Sequence, residues 1–296
     1  MIIFDAHADT PTRLLDENKS LFSNDLHIDL NRLCKNESMQ VFATFISPEY
    51  KDNAKKRLRS VVEKFLDEAK KYNFKICKTH EDIKNAEGPC GILSLEGGEP
   101  IEELEDIDRL KSLGILMIAP TWNYSNKLAT GVLEKEDSGL TDFGKKAIKR
   151  MNEQGILIDV SHLSEKSFWD VCEVSNKPIC ASHSNSKTIK DNPRNLTDEQ
   201  FIKIRDMQGC VGINFYPPFL GDNTECVIEH INHFLELGGE NNIGLGSDFD
   251  GVDYLPCGIN GCEDMEKVIK MLPYPLEIRE KIAYKNFKRV ILAQNC

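Results

Sequence analysis

A chain of 296 residues with 40% apolar side chains can bury one substantial core but is short for two full domains and a linker. Its 48 Asp and Glu against 37 Lys and Arg leave a net charge of −11, which repels phosphate backbones and anionic lipid, so no nucleic-acid or membrane partner is expected. No apolar run approaches the roughly 18 residues of a membrane span, and the opening MIIFDAHADT has neither a basic n-region nor a cleavage site, so one cytoplasmic domain over residues 1–296 is expected.

In chain order, eight short apolar runs read as strands: Ile2–Phe4, Val41–Ile46, Gly91–Leu95, Ile115–Ala119, Ile156–Val160, Ile179–Ala181, Cys210–Asn214 and Ile243–Gly246. Most are continuous rather than alternating, as parallel strands covered on both faces should be. Helical patterns separate them. Val61, Val62, Phe65, Leu66, Ala69 and Tyr72 form one apolar stripe with Lys, Arg and Glu opposite. Thr141 caps a helix through Phe143, Ala147, Ile148 and Met151 that stops at Gly155. Thr197 and Gln200 make a capping box ahead of Phe201 and Ile204. Val227 to Leu235 line a further helix ending at Gly238-Gly239, and Ile278 to Ile291 line the last. Eight strands alternating with helices predict an α/β fold of the (β/α)₈ barrel type. A doubly wound open sheet is the rival, but no Gly-rich phosphate loop follows the first strand.

The ten cysteines show no CxxC and no even spacing. Cys90, Cys172, Cys180 and Cys210 lie in or beside apolar runs, where a thiol acts as a small hydrophobe. Cys257 and Cys262 offer two ligands where a structural zinc wants four, so they read as loop thiols of a reduced, intracellular set.

The chemistry sits where strands end. The first run leads into DAHADTP, the third into SLEGGEP, the fifth into DVSHLS, the sixth into ASHSNS and the eighth into GLGSDFDG. In a parallel barrel all these ends open on one face. His7 and Asp9 are two apart, so on an extended backbone they point the same way. Glu96, His162 and His183 arrive from other strands. Each fragment alone has an ordinary reading: a polar pair, a helix cap by Ser161 or Ser164, a turn, an Asx-turn at DFDG. Their recurrence at one face is what points to a metal site. Three imidazoles and two carboxylates without cysteine suit zinc, and also manganese, iron or nickel. Five ligands exceed one open tetrahedral site, which favours two ions sharing a carboxylate and a water, with Asp248 placed to shuttle a proton. His27 and His80 are expected in polar loops, and His230 and His233 read as a helix face rather than an ion site.

These segments resemble the membrane (renal) dipeptidase family of amidohydrolase-like metallopeptidases. DAHADTP, LSLEGGEPI, GLTDFGKKAIKRMNEQGILIDVSHLS, PICASHS with Arg194-Asn195, GINFYPP, IGLGSDFDGV and AYKNFKRVI follow the family order across nearly the whole chain. The resemblance implies a barrel with two Zn²⁺ that hydrolyses dipeptides by a hydroxide bridging the ions. By position, His7 and Asp9 would hold one zinc and His162 and His183 the other, with Glu96 bridging. Asp248 would act as acid/base, Arg194 would hold the substrate carboxylate, and Tyr216 would stand on the substrate side. Family members are often dimers, so a homodimer is admitted. The chain departs from the family at Pro120, where mammalian members carry a histidine that contacts substrate; either Asn123 or Trp122 replaces it or the metals serve alone. Two rivals share the residues: an amidohydrolase acting on another carboxylate-bearing amide or lactam, and a catalytically weak peptide-binding relative.

Overall fold

The computed structural model describes residues 2–295, so Met1 and Cys296 lie outside the description. Nine strands form one all-parallel sheet: β1 (Ile3–Asp5), β2 (Ser38–Phe45), β3 (Lys75–Cys77), β4 (Cys90–Glu96), β5 (Ile115–Ala119), β6 (Leu157–Asp159), β7 (Ile179–Ala181), β8 (Cys210–Ile213) and β9 (Ile243–Leu245). Each of the eight expected runs is one of these strands. Pairing runs from β2 through β1, β9, β8, β7, β6 and β5 to β4, and β2 pairs β4 directly from Met39↔Cys90 to Phe45↔Glu96. That last pairing closes an eight-stranded (β/α)₈ barrel. The ninth strand, β3, was not expected. It pairs only with Cys90–Ile92, and β5 pairs with β4 beyond it.

Both faces of the barrel are covered. The helix at Ala54–Lys71 buries Leu58, Val61, Val62, Phe65 and Ala69, and Phe65 meets Phe42 of β2 at 4.7 Å between ring centroids. Thr141 accepts from Gly144 N to open the helix Asp142–Glu153. Thr197 and Gln200 form the expected reciprocal cap. The final helical segment, Leu276–Leu292, contains a π-turn at Lys281–Lys285 and lays Phe287, Val290 and Ile291 on the barrel floor. There Phe287 stacks on Phe4 at 5.7 Å, beside Cys90, Cys180 and Cys210. All nine described cysteines are free, and these three fill apolar volume as small hydrophobes. Packing closes the bottom, so only the C-terminal ends of the strands open to a ligand.

A candidate metal centre at the barrel mouth

β1 ends at Asp5, whose carboxylate accepts from Ser247 N at 2.8 Å and Ser247 Oγ at 2.6 Å and so locks the exit of β1 to that of β9. His7 follows beyond the end of the strand, and Asp9, at φ −91° and ψ 15°, is not extended but serves as N-cap of the helix Thr10–Asp16. Their side chains nonetheless converge, with His7 Nε2 3.4 Å from Asp9 Oδ2. Glu96, the last residue of β4, lies between the histidines. Its Oε2 is 3.3 Å from His7 Nε2, and its Oε1 is 2.9 Å from His162 Nε2 and 3.8 Å from His183 Nε2. Asp248 Oδ1 completes the ring 4.0 Å from His7 Nε2. All six residues are buried.

Backbone geometry aims two of them. His162 and Asp248 both adopt left-handed φ, +67° and +63°, which turns each side chain inward from a strand exit. Such a conformation costs a non-glycine residue about 1–2 kcal/mol. Gly251 is required beside them: a Cβ there would sit 2.2 Å from Asp9 Oδ2 and 2.6 Å from Asp248 Oδ1.

A supporting layer orders the imidazoles. Asn123 Oδ1 accepts from His162 Nδ1 at 2.7 Å. Ser182 Oγ donates to Asp159 Oδ2, so its lone pairs accept from His183 Nδ1 at 2.7 Å. With both Nδ1 atoms protonated, both Nε2 atoms present lone pairs, and these face each other across 2.8 Å. Burial also holds both rings well below the usual histidine range, aided for His162 by the Arg194 charge and for His183 by His7 and His162. Burial alone would lower His7 too, but the Glu96 and Asp9 carboxylates outweigh it and raise that ring well above its ordinary value. Glu96 is pushed up to about 8 by burial and by Asp9 beside it. His7 Nε2 and Asp9 Oδ1 are buried without a hydrogen-bond partner.

Opposed lone pairs, orphaned donor atoms and crowded carboxylates are each unfavourable without a cation and favourable with one. Donor atoms of His7, Glu96 and His183, and of His7, Asp9 and Asp248, all lie within 4.8 Å of one another in each set. The donor set fits divalent transition metal.

Above it opens a cavity of about 410 Å³ lined by Asp9, Glu96, Asn123, His162, Arg194, Tyr216 and Asp248 among others. The other candidate site residues named from the sequence, His7 and His183, do not line the cavity but lie behind it, their Nε2 atoms 3.3 and 3.8 Å from the Glu96 carboxylate. Arg194 is buried, its Nε lacks a partner, and Nη2 donates only to His183 O at 3.4 Å. Asn123 spends its carbonyl on His162, so its first role is to orient that ring.

The model of the membrane dipeptidase family (peptidase family M19) matches residues 1–295. The chain belongs to that family. Among curated relatives, a Klebsiella pneumoniae protein from the pqqA 5′ region, itself uncharacterized, is 34% identical over 68% of this chain and 80% of its own length. An uncharacterized dipeptidase of Schizosaccharomyces pombe is 30% identical over 90% of this chain and 72% of its own. Among solved structures, a metallopeptidase from Rhodobacter sphaeroides liganded with a phosphinate mimic of the dipeptide L-Ala-D-Ala superposes with a TM-score of 0.90 at 26% identity, covering 99% of both chains. A second M19 dipeptidase superposes with a TM-score of 0.90 at 27% identity, over 99% of this chain and 98% of that one. No helix among the described residues of this dipeptidase-family chain is long and apolar enough to cross a membrane.

Several residues that shape the site carried no signal in the sequence reading. Asn214, which donates to Asp248 Oδ2 at 2.8 Å, stands just past β8 inside GINFYPP. Asp159 stands inside the DVSHLS stretch and works through Ser182. His27 Nδ1 accepts from Asp250 N at 2.9 Å while His27 N donates to Asp250 Oδ1 at 2.6 Å, a reciprocal pair that pins the loop carrying Asp248. His80 is buried at the start of a short helix instead of lying in a polar loop. His230 is also buried. It accepts from Ser186 N and donates to Leu220 O, whereas His233, one turn on, pairs with Asp198.

Proposed function

We propose that this chain is a zinc-dependent dipeptidase, residues 1–296 acting as one catalytic barrel. The carrying observation is the pair of Nε2 lone pairs of His162 and His183 held face to face beside Glu96, with Arg194 buried in the same cavity and its Nε without a partner. His7 and Asp9 would hold one ion, His162 and His183 the other, with Glu96 between. When bound, two such ions supply Lewis acidity at the scissile carbonyl and lower the pKa of a water towards ~7.

The remaining work belongs to the chain. Arg194 receives the substrate's terminal carboxylate in a planar, two-pronged grip, which positions the peptide bond over the floor of the site. Asn214 occupies Asp248 Oδ2 and leaves Oδ1 turned towards His7. From there Asp248 accepts the proton of the attacking water and returns it to the departing amine. Tyr216 flanks the substrate from the wall after β8. Asn123 keeps His162 in its ligating tautomer. The free thiols support a reducing, cytoplasmic setting for the reaction.

The deciding experiment is turnover of a dipeptide panel, with L,L and L,D pairs, by chelator-stripped protein before and after zinc is restored. Zinc-dependent cleavage of dipeptides with tripeptides spared is the expected result. Two tightly held zinc ions without any dipeptide cleavage would overturn the reading and favour another amide or lactam.

A further inference from the structure

The cavity has two aromatic walls, and the order of the strands decides what each one meets. Phe45 is the last residue of β2 and sits in register with Glu96. Trp122 follows β5, its ring 5.3 Å from Phe45 and 6.2 Å from that of His162. Both are half-buried, so each shows a face to the cavity they line. Phe219, 5.5 Å from the Arg194 guanidinium, and Tyr216, 5.0 Å from Phe219, form the other wall. Around the closed ring β2 stands four places from β7, and β4 four places from β8. Phe45, on β2, therefore lies across the mouth from β7, whose following loop carries Arg194, while Trp122, after β5, closes the corner from the side and the corner as a whole, centred on β4, faces the Phe219–Tyr216 wall after β8.

We infer that the Phe45–Trp122 corner is the side-chain pocket for the amino-terminal residue of the substrate, and that it selects large apolar, above all aromatic, residues there. The inference rests on the dipeptidase reading, in which Arg194 holds the carboxylate. With that end fixed beside Phe219, a dipeptide spans the metal floor, and its first residue reaches the opposite arc. Two rings meeting at 60° form a concave corner that a flat side chain fills by edge and face contact. A small side chain leaves the corner wet and forgoes that burial.

The test compares kcat/KM for Phe-Ala, Ala-Ala and Ala-Phe in the zinc-loaded enzyme and in Trp122→Ala and Phe45→Leu. Wild type is expected to favour Phe-Ala over Ala-Ala by about tenfold or more, as hydrophobic pockets discriminate. That ratio is expected to fall to within about threefold of unity in Trp122→Ala and to drop in Phe45→Leu. The ratio of Ala-Phe to Ala-Ala should move by less than about twofold. Because ratios are read within each protein, a general loss of activity does not mimic the result. A wild-type ratio near one, or a ratio that survives in the variants, or both ratios falling together, would overturn the pocket assignment while leaving the dipeptidase reading intact. Failure of wild type to cleave any of the three overturns that reading itself.

Discussion

Arg194→Met separates function from stability because of how the guanidinium is buried. Arg194 is 6% exposed, no acidic group among the described residues lies within ion-pair distance, and its Nε is unpartnered. Burial without a partner lowers its pKa, with Asp248, Glu96 and Asp159 only partly offsetting this, and a charge so placed costs the fold several kcal/mol. Two charge-assisted hydrogen bonds to a substrate carboxylate, at about 1.5–3 kcal/mol each, would recover that cost only when substrate is bound. Methionine replaces the stem with apolar volume and removes the charge. The variant should lose about 3–6 kcal/mol of transition-state stabilisation, or about two to four orders of magnitude in kcat/KM. Its fold should be as stable as wild type or more so, with Tm rising about 2–4 °C for each kcal/mol regained. The assay pairs kcat/KM on a dipeptide and on its C-terminal amide with thermal unfolding. Wild type should discriminate strongly against the amide, and the variant should not. A loss below tenfold, retained discrimination, or a Tm that falls with activity would refute the reasoning.

Chelation should remove two metal ions per chain, counted by elemental analysis, and lower Tm. A cation present at about 1,000 times its Kd contributes about 4 kcal/mol, so an unchanged Tm would contradict the lone-pair argument at His162 and His183. Asp248→Asn should cut kcat by about 10²–10⁴ with KM and metal content little changed, as loss of an acid/base group does. Full turnover would remove Asp248 from proton transfer. Gly251→Ala should reduce bound metal and activity together while the far-ultraviolet dichroism persists, since the added methyl meets both Asp9 and Asp248. Metal content equal to wild type would show that the loop yields. His230 is pushed down to about 4 by burial, from an ordinary 6.5. The unfolded chain therefore takes up that proton first as pH falls, so the stability His230 contributes is full above pH 6.5 and is lost progressively towards pH 4, about 2–3 kcal/mol by pH 4.5. In His230→Gln the drop in unfolding free energy between pH 7 and 4.5, measured with urea, should shrink by that amount, and an equal drop would refute it.

The positions of the strands, and the polar residues closing them, could be read from the sequence because both are local properties. A continuous apolar run of four or five residues marks a strand covered on two faces. An abrupt His, Asp or Glu at its end marks where that burial stops. Thr141, Thr197 and Gln200 announced helix starts for the same reason, since a cap acts within three residues. Strand β3 escaped because it runs from exposed Lys75 through half-buried Ile76 to buried Cys77 and presents no pattern of its own. Only closure of the ring through β2 and β4 makes a place for it. The same closure decided the chemistry at atomic scale. His230 and His233 are one turn apart on one helix, and nothing local tells which of them is buried. Asp159 orients His183 through Ser182, and Asn214 holds Asp248 from a different strand. His162 and Asp248 take left-handed backbone that no rule for their residue types requires. Residue type and periodicity determined which side chains reach the mouth and from which strands. The barrel's circumference, fixed by contacts between residues far apart in the chain, decided that two imidazole nitrogens meet at 2.8 Å.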